Sequence, residues 1–131
     1  MSEKPQKEGP FTIAVAEDNA VVREVVRGII RQDKSLKLVG EAANGQLALE
    51  MVGTHKPQVL CLDVLMPGMD GIAVLRKIKE DHPDTRVIIV TGQATSEVVK
   101  EALSLGAHGF VVKPFNADKL LRAIHAAIAA H

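Results

Sequence analysis

Two kinds of apolar pattern alternate along the chain after residue 10. The first consists of short runs of β-branched and aliphatic residues, which are typical of strands buried in a sheet. The third and fourth runs are apolar at every position, so we expect both faces of the sheet to be covered. Five runs predict five strands, namely Thr12 to Ala16, Lys37 to Ala42, Val59 to Leu62, Val87 to Val90 and Gly109 to Val112.

The second pattern lies between and after these runs, where apolar residues recur at the three- and four-residue spacing of a helix. The clearest stripe is made of Val21, Val22, Val25, Val26, Ile29 and Ile30. Similar stripes lie within 47–52, 72–78, 98–103 and 120–128. Together they predict five helices, each with one apolar side that packs on the sheet.

Polar and conformationally special residues mark the ends of these elements. Asn44 and Asn116 can cap helix starts, and Gly106 can end the fourth helix. Pro57 and Pro83 interrupt the chain ahead of two strands. Strict alternation of strand and helix requires crossover connections between parallel strands. The sequence therefore predicts an α/β protein with a doubly wound, five-stranded parallel sheet and five helices.

Composition narrows the class of protein. The 131 residues are 47% hydrophobic with 16 basic and 16 acidic side chains, which fits one domain over residues 11–131 behind a polar flexible tail over residues 1–10. The single Cys61 excludes an internal disulfide and favours a reducing compartment, so we expect a cytoplasmic protein. Zero net charge and only three aromatic residues argue against direct binding of nucleic acid, and no apolar run is long enough to predict a membrane span.

Chemically capable residues follow four of the five predicted strands. Glu17 and Asp18 come after the first strand, Asp63 after the third, Thr91 ends the fourth, and Lys113 follows the fifth. The carboxyl ends of parallel strands meet at one edge, where doubly wound sheets place their sites. Three carboxylates in one pocket repel one another and suit Mg²⁺, while the hydroxyl and the ammonium can donate to an anion. The sequence therefore predicts a phosphoryl group held beside Mg²⁺.

These residues belong to motifs that resemble a known family. The chain resembles the receiver domain of bacterial two-component response regulators, the CheY-like family, over about residues 11–131. The motifs are Glu17-Asp18, Asp63 with Met66-Pro67-Gly68-Met69-Asp70-Gly71, Thr91-Gly92, and Phe110-Val111-Val112-Lys113-Pro114-Phe115. The resemblance implies the (βα)5 flavodoxin-like receiver fold, and Lys113-Pro114 resembles the family's cis-peptide site.

The resemblance implies a phosphoacceptor site. Asp63 would take a phosphoryl group from a sensor histidine kinase, a phosphotransfer protein or a small acyl phosphate. Asp18 and Asp63 would bind Mg²⁺ directly and Glu17 through water, with the backbone carbonyl of Leu65 as a further ligand. Lys113 and Mg²⁺ would neutralise charge on the transferred group. Such a protein is a switch that promotes its own phosphorylation and dephosphorylation, not an enzyme with outside substrates.

The resemblance also implies how the signal leaves the site. The hydroxyl of Thr91 would bond the phosphoryl group and draw in the following loop, while Phe110 would move from exposed to buried. A plain core role is the alternative for Phe110, and the family often has Tyr at this position. The output surface would be the fourth helix, fifth strand and fifth helix, which would meet a downstream protein. A monomer or a weak phosphorylation-dependent dimer is expected.

Two further positions are predicted to set the lifetime of the phosphoryl group. Leu65 lies two residues beyond Asp63, and Gln93 lies two residues beyond Thr91. The amide of Gln93 can orient an attacking water, whereas the side chain of Leu65 cannot. We therefore expect the two positions to act in opposite directions on hydrolysis.

Other functions of the same architecture stay open on the residues alone. A phosphatase or mutase of the haloacid dehalogenase class needs an acid where Leu65 stands. A nucleotide or flavin module needs a Gly-rich or hydroxyl-rich loop at 16–20, where this chain has Ala-Glu-Asp-Asn-Ala. A receiver-like module that is never phosphorylated is a third alternative. A receiver cut from a longer regulator is a fourth, although the end of the chain after the fifth helix favours a free-standing receiver.

Overall fold

A computed structural model describes residues 9–66 and 68–130. Most of the predicted tail, together with Pro67 of the loop motif and His131, lies outside the described residues. The helices are α1 (Ala20–Arg31), α2 (Gly45–His55), α3 (Gly71–Asp81), α4 (Ser96–Ser104) and α5 (Ala117–Ala129). The strands are β1 (Phe11–Ala16), β2 (Leu36–Ala42), β3 (Val59–Leu62), β4 (Leu65–Met66), β5 (Met69–Asp70), β6 (Arg86–Thr91) and β7 (Gly109–Val112).

Five strands form one parallel sheet in the order β2-β1-β3-β6-β7. This order confirms the prediction of a doubly wound sheet with five principal strands. Ala16 pairs with Leu62, so the next residue of each strand emerges at the same level of the sheet. Thr91 pairs with Val112, which brings the end of β6 beside the end of β7. The register therefore gathers the residues after these strands at one edge.

The sheet separates two apolar layers. On one face, Val26 and Ile30 of α1 and Leu120 and Ile124 of α5 are almost completely buried. The other face is covered by buried residues of α2, α3 and α4, among them Val52, Ala48, Leu75, Ile78 and Ala102. All four residues of β3 are buried, as a strand covered on both faces requires.

The hairpin of β4 and β5 was not among the five predicted strands. Its strands have two residues each, which is too short for an alternating pattern to show in the sequence. The hairpin leads from Asp63 to α3, where Oδ1 of Asp70 accepts a hydrogen bond from the N–H of Ile72 and caps the helix. Gly71 packs against backbone, because a methyl group there would lie 2.2 Å from the Cα of Val64. The chain directly after Asp63 is therefore tightly confined.

The predicted helix ends are confirmed. Oδ1 of Asn44 accepts from the N–H of Leu47 at 2.8 Å, and Oδ1 of Asn116 accepts from the N–H of Lys119 at 2.9 Å. Gly106 follows the end of α4 with a φ of +98°, a conformation that favours glycine. Among the helices of the described part of the chain, none is both long and apolar enough to cross a membrane.

Candidate functional site

Glu17 and Asp63 lie side by side at the carboxyl edge of the sheet. The N–H of Glu17 donates to the carbonyl of Ala42 at 2.9 Å, and the N–H of Asp63 donates to the carbonyl of Ala16 at 3.0 Å. Both acids therefore extend the strand ladders by one residue. Their exposed fractions are only 3% and 4%, whereas Asp18 is exposed. Carboxylate oxygens of the three acids lie within 4.8 Å of one another.

Lys113 places its ammonium between the two buried acids. Nζ lies 2.6 Å from Oε1 of Glu17 and 2.9 Å from Oδ2 of Asp63. The lysine is held at this edge by its backbone, since its N–H donates to the carbonyl of Thr91 at 2.9 Å. The peptide bond from Lys113 to Pro114 is cis. One cation thus offsets two buried anions, which would otherwise be costly to desolvate.

The surroundings of Glu17 and Lys113 shift the pKa values of these two residues. Burial raises the pKa of Glu17, and the charge of Asp63 adds to the rise against the opposing effects of Lys113 and the Asn19 N–H. Partial burial works to lower the pKa of Lys113, but its hydrogen bonds to Glu17 and Asp63 outweigh that effect and leave the pKa raised. Lys113 is therefore a permanent cation at neutral pH, fixed beside Asp63.

Backbone N–H groups hold the remaining oxygens of the two buried acids. Oδ1 of Asp63 accepts from the N–H of Leu65 at 2.9 Å, and Oε2 of Glu17 accepts from the N–H of Asn19 at 3.1 Å. Each carboxylate is thus bound by Lys113 through one oxygen and by its own turn through the other. Both acids are oriented before any ligand arrives.

The donor set fits Mg²⁺, because hard carboxylate oxygens are the ligands that this ion prefers. Glu17, Asp18 and Asp63 would hold the ion, and when bound it would supply positive charge next to Asp63. The carbonyl of Leu65 stays a predicted ligand. Leu65 itself opens the β4–β5 hairpin, and the residue is 49% exposed.

Thr91 and Gln93 lie at the same edge of the sheet. Thr91 is completely buried, and its Oγ1 accepts a hydrogen bond from the N–H of Gln93 at 3.2 Å. Gln93 is exposed. The hydroxyl of Thr91 therefore already links the end of β6 to the loop before α4.

Phe110 is half-buried, between the two states that the resemblance implies. It lies on the outermost strand β7, where it pairs with Ile89 of β6 and packs against the apolar layer beneath α2, α3 and α4. Its movement on phosphorylation stays a prediction.

Arg23 is a neighbour of the site that the sequence did not indicate. Its Nη1 donates to the backbone carbonyl of Glu17 at 2.7 Å and lies 3.2 Å from the carbonyl of Asp18. Arg23 lies on α1 among other charged residues, where arginines usually face solvent, so no sequence pattern marks it. Only the folded turn between β1 and α1 brings its guanidinium to these carbonyls.

Comparison with known proteins decides the class. The family model of the response regulator receiver domain matches residues 13–125. This chain belongs to the receiver family. The receiver is 35% identical to the chemotaxis protein CheY of Bacillus subtilis over 113 residues, covering 86% of this chain and 93% of that protein. It is 33% identical to the nitrate/nitrite response regulator NarL of Escherichia coli K12 over 120 residues, covering 92% of this chain and 56% of that protein.

Solved structures confirm the flavodoxin-like receiver fold. The signal receiver domain of the putative response regulator NarL from Mycobacterium tuberculosis matches with a TM-score of 0.88 at 31% identity, over 94% of this chain and 100% of that one. The CheX-CheY-BeF3-Mg complex from Borrelia burgdorferi matches with a TM-score of 0.88 at 27% identity. The match covers 93% of this chain and 92% of that one. Membership of this family decides against the dehalogenase-type and nucleotide-binding alternatives. Receiver domains of two-component systems act in general as phosphorylation-dependent switches.

Proposed function

We propose that this receiver accepts a phosphoryl group on Asp63 and signals through a surface made of α4, β7 and α5. The donor is a sensor histidine kinase, a phosphotransfer protein or a small acyl phosphate, and Mg²⁺ is the cofactor. One observation carries the proposal, namely the pairing of Asp63 with Lys113 at 2.9 Å inside a cluster of three carboxylates. A buried aspartate needs such a partner, and a transferred phosphoryl group needs the same positive charge.

The chemistry is a displacement at phosphorus. An oxygen of Asp63 attacks the phosphorus atom, the bond from phosphorus to the donor's nitrogen or oxygen breaks, and its electron pair leaves with the donor. Lys113 neutralises charge on the transferred oxygens, while Asp18, Asp63 and the Leu65 carbonyl would bind Mg²⁺ directly and Glu17 would bind it through water. In dephosphorylation a water molecule attacks phosphorus, the bond from phosphorus to the Asp63 oxygen breaks, and its electron pair restores the Asp63 carboxylate. Both protons of the water leave with inorganic phosphate.

The receiver has an apolar surface beside the site, and the donor protein docks on it. A cleft of about 340 Å³ is lined by Val21, Val25, Pro114 and Phe115, with Lys113 also on its wall. The two valines are 67% and 47% exposed, one helical turn apart on α1. Because Lys113 belongs to both the cleft and the site, a protein seated here reaches Asp63. We therefore place the phosphodonor on this side.

The signal leaves through a short chain of contacts. The hydroxyl of Thr91 accepts the N–H of Gln93 and still has its own proton to donate to a phosphoryl oxygen. Thr95, two residues further, caps α4 by accepting the N–H of Val98 at 3.2 Å. A movement of Thr91 toward the phosphoryl group therefore pulls the loop between β6 and α4 in the same direction. Phe110, packed on the same side of the sheet, fills the space that this movement leaves.

Intact mass spectrometry after incubation with Mg²⁺ and acetyl phosphate tests the proposal. We expect the mass of one phosphoryl group to be added to the wild type, and to be absent from D63N and from a sample treated with chelator. D84N is the matched control, because Asp84 is an exposed loop carboxylate outside the site, and it should be phosphorylated normally. An adduct that persists in D63N, or none on the wild type with acetyl phosphate or with a kinase, would overturn the assignment.

A further inference from the structure

We propose that Arg23 is a positioning residue that holds the acidic pair Glu17-Asp18 in its metal-binding arrangement. The inference deepens the proposed function, since it concerns the same site. Arg23 touches neither the phosphoacceptor nor the predicted ligand oxygens. It acts on the backbone that carries them.

The contacts lie on the turn between β1 and α1. In this turn the chain passes from the sheet edge at Ala16 to the helix start at Ala20 within three residues. Nη1 of Arg23 donates to the carbonyl of Glu17 at 2.7 Å and also approaches the carbonyl of Asp18 at 3.2 Å. A charged donor to a carbonyl makes a stronger hydrogen bond than a neutral one. A single guanidinium thus fixes the peptide groups that set the directions of both acidic side chains.

An ion pair to the sheet also holds Arg23. Its Nε lies 3.7 Å from Oε1 of Glu41, which stands on β2. Glu41 is itself held at both oxygens by Arg27, with Nε to Oε2 at 2.8 Å and Nη2 to Oε1 at 2.9 Å. Arg23 therefore links the acidic turn to a fixed point on the neighbouring strand.

Two effects of Arg23 on Mg²⁺ have opposite signs, and this makes the inference testable. As a positive charge near the site, Arg23 repels a cation, so its removal would strengthen Mg²⁺ binding. As a support for the acidic turn, it orders the carboxylates, so its removal would weaken binding. Because its donor atom bonds both carbonyls at hydrogen-bond distance, we expect support to outweigh repulsion.

Calorimetric titration of the unphosphorylated chain with Mg²⁺ alone decides the sign. We expect R23A to bind Mg²⁺ about tenfold more weakly, the low end of the loss seen when an outer partner of a metal site is removed. R27A is the matched control, because it removes an equal charge from the same Glu41 cluster but leaves in place both hydrogen bonds from Arg23 to the turn. Its affinity should stay within about twofold of the wild type. R23K keeps the charge, and its Mg²⁺ affinity should lie between those of R23A and the wild type.

A second readout does not depend on metal. The N–H of Asn19 is held by Glu17, so its hydrogen exchange, followed by NMR without Mg²⁺, reports the order of the turn. Faster exchange in R23A than in R27A supports the inference. Equal exchange in the two variants, or Mg²⁺ binding by R23A as tight as that of the wild type, overturns it.

These readouts separate the inference from the proposed function. If the wild type binds Mg²⁺ but never gains a phosphoryl group, the phosphoacceptor assignment fails while the role of Arg23 is still measured. If R23A does not fold, R23K and R27A provide the same comparison.

Discussion

Both carboxylate oxygens of Asp63 have fixed partners, the ammonium of Lys113 and the backbone N–H of Leu65. Thr91 has a similar partner in the backbone N–H of Gln93. The backbone N–H groups of Leu65 and Gln93 therefore orient Asp63 and Thr91. Leu65 and Gln93 are themselves exposed. Side-chain changes at these two positions can alter the access of water without disturbing the groups that react.

We predict opposite changes in phosphoryl lifetime for these two positions. Q93A removes an amide that can orient water and should lengthen the lifetime, whereas L65N supplies such an amide and should shorten it. One hydrogen bond to the reacting water corresponds to about 1 kcal/mol, or a change of about five- to tenfold in the hydrolysis rate.

Decay of the phosphorylated mass after removal of acetyl phosphate measures these lifetimes. Q46A is the control, because it removes an exposed amide that bonds Glu50 on α2 and no group of the site, and it should decay like the wild type. If neither L65N nor Q93A changes the decay rate, these two positions do not control water access.

At the residue scale, the sequence predicted where the site residues lie better than it predicted their hydrogen-bond partners. Glu17, Asp63 and Lys113 follow strands whose apolar patterns are plain, so their convergence at one edge follows from parallel topology alone. The role of Arg23 depends on the rotamer of a helical arginine and on the path of a three-residue turn. Neither is encoded in periodicity, so that contact could be found only in the structure.

Among the elements, predictability followed length. Helices of nine to thirteen residues carry a full apolar stripe, and strands of four to seven residues carry an apolar run, so all ten were predicted with ends within a few residues. The β4–β5 hairpin has two residues in each strand and left no such pattern. The hairpin nevertheless determines the position of Leu65, and so the position of the backbone N–H that donates to Asp63.

We predict that G71A damages the protein through this hairpin. The added methyl group would lie 2.2 Å from the Cα of Val64, and backbone cannot move aside by changing rotamer. We expect a loss of about 2–3 kcal/mol in the free energy of unfolding, the upper range for overpacking, together with slower phosphorylation because Leu65 shifts.

Urea denaturation followed by circular dichroism measures this loss. G28A is the matched control, since no atom lies within 4 Å of the corresponding methyl position on α1. Alanine is the better helix former, so G28A should gain up to about 1 kcal/mol. Equal stability of G71A and the wild type would show that the hairpin yields easily.

On the scale of the whole molecule, the proposed phosphoacceptor site and the proposed switch residue Phe110 lie at different places on the sheet. Asp63 and its neighbours lie at the carboxyl edge, whereas Phe110 lies within β7, which is an edge strand of the sheet. The apolar strands were enough to predict two covered faces. The half-buried state of Phe110 depends on how α4 packs beside β7, which a single sequence does not specify.

We predict that T91V separates phosphorylation from signalling. Valine keeps the shape of a completely buried side chain but has no hydroxyl to bond the phosphoryl group. Phosphorylation of Asp63 should therefore continue, while the change at Phe110 is reduced by about half or more, because one hydrogen bond worth about 1 kcal/mol biases the switch.

The NMR shifts of the Phe110 ring, with and without acetyl phosphate, report this change. T85V is the control, because Thr85 is also buried and hydrogen-bonded, to the carbonyl of Pro57 at 2.9 Å, but lies before β6 at the opposite edge. A full response in T91V would rule out the hydroxyl as the link.

The edge strand β2 contains an irregularity that bears on how copies of this protein meet. Ile13 pairs with Leu38 and Ala14 pairs with Gly40, so Val39 is an extra residue without a partner on β1. A bulge of this kind bends the free edge of a sheet, and exposed charges such as Lys37 make that edge still less suitable for pairing with another strand. Even at high protein concentration, edge-to-edge pairing through β2 is therefore disfavoured, so open-ended aggregation of the sheet has no route at this strand.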